Sequence, residues 1–218
     1  MKILPPSLPE SLPASDDPSG VVAACAASGD DVADRHFLTG TLTGDFSSRV
    51  EFRRCRFDGV RMTACRFGHA DFVDTIFSGC DLSGVELSGC AFLRCRFENC
   101  KGVGSAFIHS PMRHVVWEGG PFRMANFSET PFKAVRFSHC DLTESVFLQC
   151  AAQGLSFEAC RLVHVNFCRT RLAGIDLSSN QLEGIFVSGD ELRDAVVSPF
   201  QAVELARLLG VKVKEEPF

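Results

Sequence analysis

A large apolar residue recurs at every fifth position along most of this chain. In the stretch VEFRRCRFDGVRMTACRFGHADF, residues 50–72, these residues are Phe52, Phe57, Met62, Phe67 and Phe72. An amphipathic helix repeats its apolar residues every three or four positions, and a half-buried strand repeats them every two. A period of five fits neither pattern, and it therefore requires a chain that turns after every few residues.

The five-residue period runs without a break from Phe52 to Val197. It contains 30 positions, of which 28 hold a large apolar residue and 15 hold Phe; the exceptions are Gly102 and Ala152. Two residues before these positions lie small or medium-sized residues, and nine of the 11 Cys of the chain occupy such places. Two inward residues that flank one outward residue form a short extended segment. The other two residues of each unit must therefore turn the chain.

The residue two places after each large apolar residue indicates how the chain turns. Gly occupies this place ten times and His occupies it five times. Gly adopts φ > 0 readily, and His tolerates it better than most residues do. A type II turn requires φ > 0 at its third residue. Each unit is therefore predicted to form one short side and one corner.

A longer period of twenty residues indicates how many sides close one coil. Every twentieth residue from position 57 is aromatic, six times in a row: Phe57, Phe77, Phe97, Trp117, Phe137 and Phe157. Four five-residue sides in each coil account for this period. At roughly 4.8 Å per coil, residues 50–197 are expected to make about seven coils and a rod about 35 Å long.

Three units of the repeat carry a resemblance to a known family. CDLSG (80–84), ANFSE (125–129) and CDLTE (140–144) are near-matches to the pattern A(D/N)LXX of pentapeptide-repeat proteins. The chain resembles this family over about residues 50–197. The resemblance implies an all-β fold, a right-handed quadrilateral parallel β-helix in which the large apolar residue and the residue two places before it fill the interior.

The two ends of the chain depart from the repeat. Residues 1–30 are rich in Pro and are expected to be disordered, and residues 31–49 are expected to form an irregular first coil. Residues 198–218 are expected to form a capping helix followed by a strand, because Ser198 suits an N-cap, Pro199 the first helical position and Gly210 the place after the helix.

The C-terminal helix is more apolar than a cap requires. Seven of the 11 residues from 199 to 209 are apolar, which exceeds what one face needs to cover the last coil. The surplus predicts a homodimer. The residues expected to form its contact are Phe200, Val203, Leu205, Leu208 and Leu209.

The residues that usually carry chemistry do not form a recognisable site. The closest Cys residues are five positions apart, so no metal-binding C-x-x-C is present, and the nine Cys in the repeat are interpreted as buried thiols. Stacked pairs such as Cys80 and Cys100 would lie within disulfide reach, but a reducing cytoplasm favours thiols. The His residues are interpreted as corner residues rather than zinc ligands. No catalytic motif is found, so an enzyme, a metal and a cofactor are not expected.

Charge gives the clearest prediction about a partner. The net charge of −5 offers no basic surface for direct nucleic-acid binding, and no apolar stretch is long enough for a membrane span. Residues 172–197 carry five acidic residues against Arg193 alone. Asp176, Glu183, Glu191 and Asp194 are predicted to face outward as an acidic partner-binding zone, whereas Asp190 falls on an inward position. A second acidic column, Asp58, Glu98, Glu118 and Glu158, is flanked by Arg56, Arg96 and Arg136 and is equally consistent with a solvated face of ion pairs.

The C-terminal tail also resembles that of the topoisomerase-protecting members of the family, Qnr, MfpA and AlbG. The uninterrupted register between positions 52 and 197 is closer to the members that lack loops. This resemblance implies a cytoplasmic, head-to-head homodimer that mimics DNA, binds DNA gyrase or another type II topoisomerase, and protects it from quinolones or natural gyrase poisons. The alternative is a general protein-interaction scaffold with no role in DNA topology.

Overall fold

The computed structural model of the protein describes residues 1–46, 49–208 and 210–214. It confirms the predicted fold class, a four-sided parallel β-helix of about seven turns. Strands of neighbouring coils pair in parallel with a register of twenty residues, so that Phe52 lies beside Phe72 and Phe97 lies beside Trp117. A strand of one coil therefore pairs with the strand twenty residues further along the chain, which is the predicted length of one coil.

The described chain contains short strands, two α-helices and one 3₁₀ turn. The strands are β1 Ala14–Ser15, β2 Val32–Ala33, β3 His36–Phe37, β4 Thr41–Phe46, β5 Glu51–Arg53, β6 Arg56–Asp58, β7 Arg61–Phe67, β8 Asp71–Val73, β9 Ile76–Ser78, β10 Ala91–Leu93, β11 Arg96–Glu98, β12 Met112–Glu118, β13 Pro131–Ser138 and β14 Ala151–Glu158. The helices are α1 Pro18–Ser28 and α2 Pro199–Leu208, and the 3₁₀ turn is Asp190–Leu192. Strands β12, β13 and β14 each run along two sides, and single bridges continue the pairing elsewhere. Neither α-helix in the described ranges has the length and apolar content of a membrane span.

The interior is a stack of side chains from equivalent positions of successive coils. Phe57 and Phe77 stack with ring centroids 5.1 Å apart, and Phe97 stacks on Trp117 at 3.8 Å. Parallel stacking follows from the register, because pairing at a spacing of twenty residues places the same side chain directly above its counterpart. Where the large residue is missing, at Gly102, a Cβ would lie 2.4 Å from the ring of Phe122, which occupies the free space. Among the described residues, this packing leaves no room for a ligand site in the interior of the rod.

The corners adopt the predicted backbone geometry with a wider range of residues than expected. Gly79 has φ of 60° and His139 has φ of 56°, as the sequence predicts. Arg54, Ala134 and Gln149 adopt the same conformation, with φ of 51°, 55° and 57°. The ladder between coils therefore imposes φ > 0 on residues that do not favour it, and residue type at a corner is only a partial guide to its geometry.

The N-terminal 30 residues differ from the predicted disorder. Strand β1 pairs with β3, and helix α1 lies over the open end of the first coil with Val22 fully buried. Asp17 caps α1 by accepting a hydrogen bond from the Gly20 N–H at 2.9 Å. The reason is that an open coil exposes apolar rings and unpaired backbone groups, and the short apolar stretch 20–28 covers them.

Among the described residues of the stretch 31–49, the irregularity takes the form of a register shift. Strand β4 pairs with β7, and its register changes between Leu42 and Gly44. The shift places Phe46 against Phe67, with ring centroids 5.2 Å apart, although Phe46 lies out of step with the repeat in the sequence. The segment from Leu42 to Phe46 is one residue shorter than its partner from Met62 to Phe67, and the register shift compensates for this and returns Phe46 to the interior.

At the other end, helix α2 begins as predicted but is not followed by a strand. The Gln201 N–H donates to Ser198 Oγ at 3.3 Å, and the Ser198 N–H donates to Gln201 Oε1 at 2.7 Å, which together form a capping box. Residues 211–213 have no assigned strand among the described residues, because no neighbouring strand lies beside them. The prediction of a terminal strand was therefore wrong.

Candidate partner-binding surface at the C-terminal end

Helix α2 is fixed across the last coil by polar contacts. The side-chain amide of Gln201 donates to the carbonyl oxygens of Leu177 and Asn180 at 2.9 and 2.7 Å. These carbonyls lie at the end of the rod, where the next coil would otherwise supply donors. Gln201 therefore belongs both to the capping box of the helix and to the closure of the rod.

The residues predicted to form a dimer contact divide into two groups. Leu205 is only 6% exposed and packs into the hydrophobic core, so it serves the cap. Phe200, Val203 and Leu208 are exposed, Phe200 to 88%. Leu209 lies outside the described residues. The helix thus covers the rod with one side and leaves large apolar side chains on the other.

The exposed side of α2 also carries charge. Glu204 and Arg207 lie on the same side as Phe200, because residues three and four apart share a helix face. Arg207 Nη1 donates to Glu204 Oε1 at 3.1 Å. The face available to a partner is therefore apolar with one ion pair within it.

Two further exposed apolar residues lie on the last coils and were not singled out from the sequence. Phe186 is exposed to 56% and bridges to Asn166, and Val196 is also exposed and bridges to Asp176. Both occupy outward positions, one place before the inward residue of their unit. A large apolar residue at an outward position is the sequence signal that would have identified them.

Three of the four predicted acidic-zone residues are exposed. Asp176, Glu183 and Asp194 all face solvent. Hydrogen bonds from the side chain and backbone of Ser178 lower the pKa of Asp176, so this carboxylate stays charged in mildly acidic solution. These three residues can present negative charge to a partner.

Glu191, the fourth residue of the predicted zone, is buried instead of exposed. Its carboxylate accepts hydrogen bonds from the backbone N–H groups of Arg169, Ser188 and Gly189 at 2.8, 2.9 and 3.0 Å. The Ser188 hydroxyl donates to it as well. Burial alone would raise the pKa of Glu191, but these donors hold it at about 2. Glu191 closes the last coil and is not available to a partner, so this part of the prediction was wrong.

The inward assignment of Asp190 was also wrong. Asp190 is exposed, and the side chain that enters the structure at this point is that of Glu191. The cause is the 3₁₀ turn at Asp190–Leu192, which tightens the backbone. In the preceding coil, the His164 N–H donates to the carbonyl of Glu183, which lies 19 residues ahead. After the 3₁₀ turn, the Gly174 N–H donates to the carbonyl of Asp194, which lies 20 residues ahead. The five-residue register is therefore disturbed at this turn, and it returns at the bridge between Asp176 and Val196.

The predicted acidic zone is not isolated from basic residues. Arg169, Arg171 and Arg193 line a shallow cavity together with Asp190 and Glu191. Arg169 and Arg171 precede the stretch 172–197 in the sequence, but the coil brings them next to it. The C-terminal end is therefore mixed in charge, with separate acidic and basic spots.

The second acidic column consists largely of ion pairs. Arg56 Nε lies 2.9 Å from Asp58 Oδ2, and Arg96 Nε lies 2.7 Å from Glu98 Oε1. Arg96 also contacts Glu118. Exposed pairs of this kind contribute little to stability and leave little net charge, so this face fits the solvated alternative.

The cysteine residues are placed as predicted. All nine Cys of the repeat are buried, and Cys25 and Cys168 are partly exposed. Burial raises the pKa of Cys55 and Cys95 to about 12, so neither supplies a thiolate nucleophile near neutral pH. No group of three metal-ligating side chains occurs within the part of the chain that the structure describes.

Two family models match the chain. One, described as a pentapeptide repeat region, matches residues 70–144, and the other, described as pentapeptide repeats (9 copies), matches residues 45–86. None of the curated proteins compared with the chain matched it at a significant level.

Three solved structures of pentapeptide-repeat proteins match the chain. HetL, involved in heterocyst differentiation regulation in the cyanobacterium Nostoc sp. strain PCC 7120, is 16% identical, with 77% of this chain and 81% of that chain covered and a TM-score of 0.37. A trypsin-treated form of QnrB1, a plasmid-mediated fluoroquinolone resistance protein, is 18% identical, with 82% and 99% covered and a TM-score of 0.38. Rfr23 from the cyanobacterium Cyanothece 51142 is 13% identical, with 56% and 91% covered and a TM-score of 0.27.

Proposed function

Because this chain is a pentapeptide-repeat protein, we propose that it is a binding protein that forms a dimer through helix α2 and docks on a type II topoisomerase such as DNA gyrase. In this proposal it protects the enzyme from poisons that trap the cleaved DNA complex. In this role the protein carries out no catalytic step and acts through surface recognition by a rigid rod.

The observation that carries the proposal is the exposed apolar side of α2. Phe200, Val203 and Leu208 lie on the outside of a helix whose other side already caps the rod through Leu205. Exposed apolar side chains that cluster on one element favour a protein contact. A second copy is the simplest occupant, because a two-fold axis pairs the same helix face with itself.

Charge supports a topoisomerase as the partner. Asp176, Glu183 and Asp194 face solvent on the last coils, which adjoin helix α2. A surface that binds DNA is positively charged because it contacts phosphates. Dimerisation would double the acidic residues at the centre of the rod and steer it toward such a surface. The tail also resembles that of the topoisomerase-protecting members of the family.

A gyrase supercoiling assay with a poison tests the proposal. We expect the parent protein to restore supercoiling in the presence of the poison. The triple variant Asp176→Asn, Glu183→Gln, Asp194→Asn should restore much less. A matched control, Glu129→Gln, Glu144→Gln, Glu158→Gln, removes the same charge from exposed positions nearer the middle of the rod and should act like the parent.

Two outcomes of this assay would contradict the proposal at different points. If the acidic triple variant rescues gyrase as well as the parent does, charge recognition at this end is wrong. If the parent neither binds gyrase nor changes the effect of the poison, the topoisomerase assignment itself is wrong.

A second candidate function is a general interaction scaffold without a role in DNA topology. The mixed charge of the C-terminal end favours it, since Arg169, Arg171 and Arg193 lie among the acidic residues and Glu191 is not exposed. A pull-down with purified gyrase subunits separates the two candidates. Retention that fades as salt rises supports the topoisomerase, and no retention at low salt supports the scaffold.

A further inference from the structure

The N-terminal residues 1–13, here called the strap, follow one corner of the rod. Pro13 O accepts from the His36 N–H at 2.9 Å, and the Ser7 N–H donates to Asp74 Oδ1 at 3.0 Å. The Leu4 N–H donates to His114 Nδ1 at 3.3 Å. The strap thus crosses several coils, and its first residues lie near the middle of the rod.

This corner is more covered than the other three. Asp74 and Ala134, which occupy it, are buried, whereas His139, Glu144 and Gln149 at the other corners are exposed. All five residues have φ between 51° and 60°, so the backbone is the same and the difference comes from covering chain. The strap therefore covers the rod along this corner.

A cavity of about 420 Å³ lies between the strap and the rod. Residues 1–6 form one wall, and the rod supplies the others: Cys95, Arg96, His114, Val116, Arg136 and Ser156. Lys2 and Arg136 bring full positive charges to this space. The lining of the cavity combines hydrogen-bond donors, on Lys2 and Arg136, with apolar surface from Ile3 and Val116. Small-molecule binding sites have the same combination.

The positive charges at this corner are not balanced. Arg113 and Lys133 are direct partners on adjacent coils, where like charges repel. Together with Lys2 and Arg136 they have no ion-pair partner among the described residues. We name Lys2, Arg113, His114, Lys133 and Arg136 the basic corner. Lys2, His114 and Arg136 line the cavity, and Arg113 and Lys133 lie beside it, next to the corner.

Most of the nearby carboxylates are already engaged, but Glu158, on the coil next to Arg136, makes no ion pair among the described residues. Glu98 and Glu118 contact Arg96, and Asp74 contacts Arg94. The pKa of His114 is lowered by burial and by the charges of Arg113, Arg94 and Lys133. Even with Glu158 counted against them, Lys2, Arg113, Lys133 and Arg136 leave a local excess of positive charge in a protein with a net charge of −5.

We propose that the cavity beneath the strap binds an oligophosphate, held by the basic corner. A multiply charged phosphate chain matches Lys2 and Arg136 in the cavity wall together with Arg113 and Lys133 beside it. Arg side chains bind phosphate with two parallel hydrogen bonds. The neutral His114 ring already accepts the Leu4 N–H at Nδ1 and keeps the strap in place. The source of the phosphate is either a free oligophosphate or the triphosphate of a nucleotide, whose base would meet the apolar wall formed by Ile3 and Val116.

Isothermal titration of the full chain with sodium tripolyphosphate, and separately with ATP, tests this proposal at about 0.15 M salt. We expect saturable binding with one site per chain. The double variant Lys133→Gln, Arg136→Gln should weaken it by about tenfold or more. The control Arg61→Gln, Arg66→Gln removes two exposed arginines from other sides of the rod and should change it by less than about twofold.

The outcomes separate the possibilities. Tighter binding of ATP than of tripolyphosphate supports the nucleotide as the source, and equal binding supports a free oligophosphate. Lys2→Gln should also weaken binding if the strap forms the site. No saturable binding of either probe overturns the proposal, and so does an equal loss in the control, which would show non-specific attraction. Thermal unfolding of each variant confirms that the rod is intact.

Discussion

The middle coils and the last coil solve the same hydrogen-bonding problem in different ways. In the middle, each coil donates to the next, as in the bonds from Leu142 N–H to Arg161 O at 2.9 Å and from Leu162 N–H to Gln181 O at 2.8 Å. The last coil has no successor, and the carboxylate of Glu191 accepts from the N–H groups of Ser188 and Gly189 instead. A repeat therefore determines the interior of a solenoid, whereas its end depends on individual side chains.

The middle coils and the C-terminal end also differ in which side chains they expose to a partner. Inward residues of the middle coils are buried on all sides and are available to nothing but each other. The last coil and α2 leave Phe186, Val196 and Phe200 exposed. The interior of the middle coils thus serves stability, and we propose that the C-terminal end makes contacts.

The largest expected effect is the difference in stability between a Phe→Asp substitution in the middle coils and one on helix α2. Phe97→Asp puts an unpaired carboxylate into the interior and should destabilise the rod by about 5 kcal/mol or more. Phe200→Asp changes a side chain that is 88% exposed, and it should cost less than about 1 kcal/mol. Urea unfolding followed by circular dichroism measures both. A cooperatively folded Phe97→Asp protein of near-parent stability would contradict the assigned register.

The closure of the last coil is tested by Glu191→Gln. The amide keeps one acceptor but loses the charge that three backbone donors face, so we expect a loss of about 2–3 kcal/mol. Asp190→Asn is the matched control, because it alters the exposed neighbour and should change stability by less than about 0.5 kcal/mol. An equal loss of stability in the two variants would contradict the role of Glu191 in closing the last coil.

The pH dependence of this closure has a defined sign. The pKa of Glu191 is about 2 in the folded protein and lies below its ordinary value of 4.5. Its contribution is therefore complete above pH 4.5 and is lost as the pH falls toward 2. The difference in unfolding free energy between the parent and Glu191→Gln should shrink over this window. A difference that stays constant with pH would argue against a charged Glu191.

Thiol reactivity gives the smallest effect, because the native protein should hardly react. Only Cys25 and Cys168, both partly exposed, should be labelled in the native state. The nine Cys of the repeat should react only after denaturation. Rapid native labelling of five or more thiols would be incompatible with an interior built from these residues.

The sequence predicted what periodicity controls and missed what single contacts control. The inward stacking of Phe57 on Phe77 and the four-sided coil follow from the period, because each coil repeats the environment of the previous one. The burial of Glu191 depends on a 3₁₀ turn and on donors from Arg169, more than twenty residues away. No local pattern reports such a contact.

The ends show the same limit. Residues 1–30 have the composition of a disordered segment, yet the strap and α1 are placed by an exposed corner and an open coil that the segment itself does not encode. The capping box was predictable in part, since Ser198 and Pro199 are local signals. The division of α2 into a buried Leu205 and an exposed Phe200 was not, because it depends on how the helix lies on the last coil.

Sedimentation velocity tests most directly whether the C-terminal end is a contact surface. The parent protein should sediment as a dimer at about 100 µM. The double variant Phe200→Asp, Leu208→Asp should sediment as a folded monomer, because it places charge on the exposed side of α2 and leaves Leu205 and Gln201 in place. A parent that remains monomeric at this concentration, or a double variant that remains dimeric, would contradict the account.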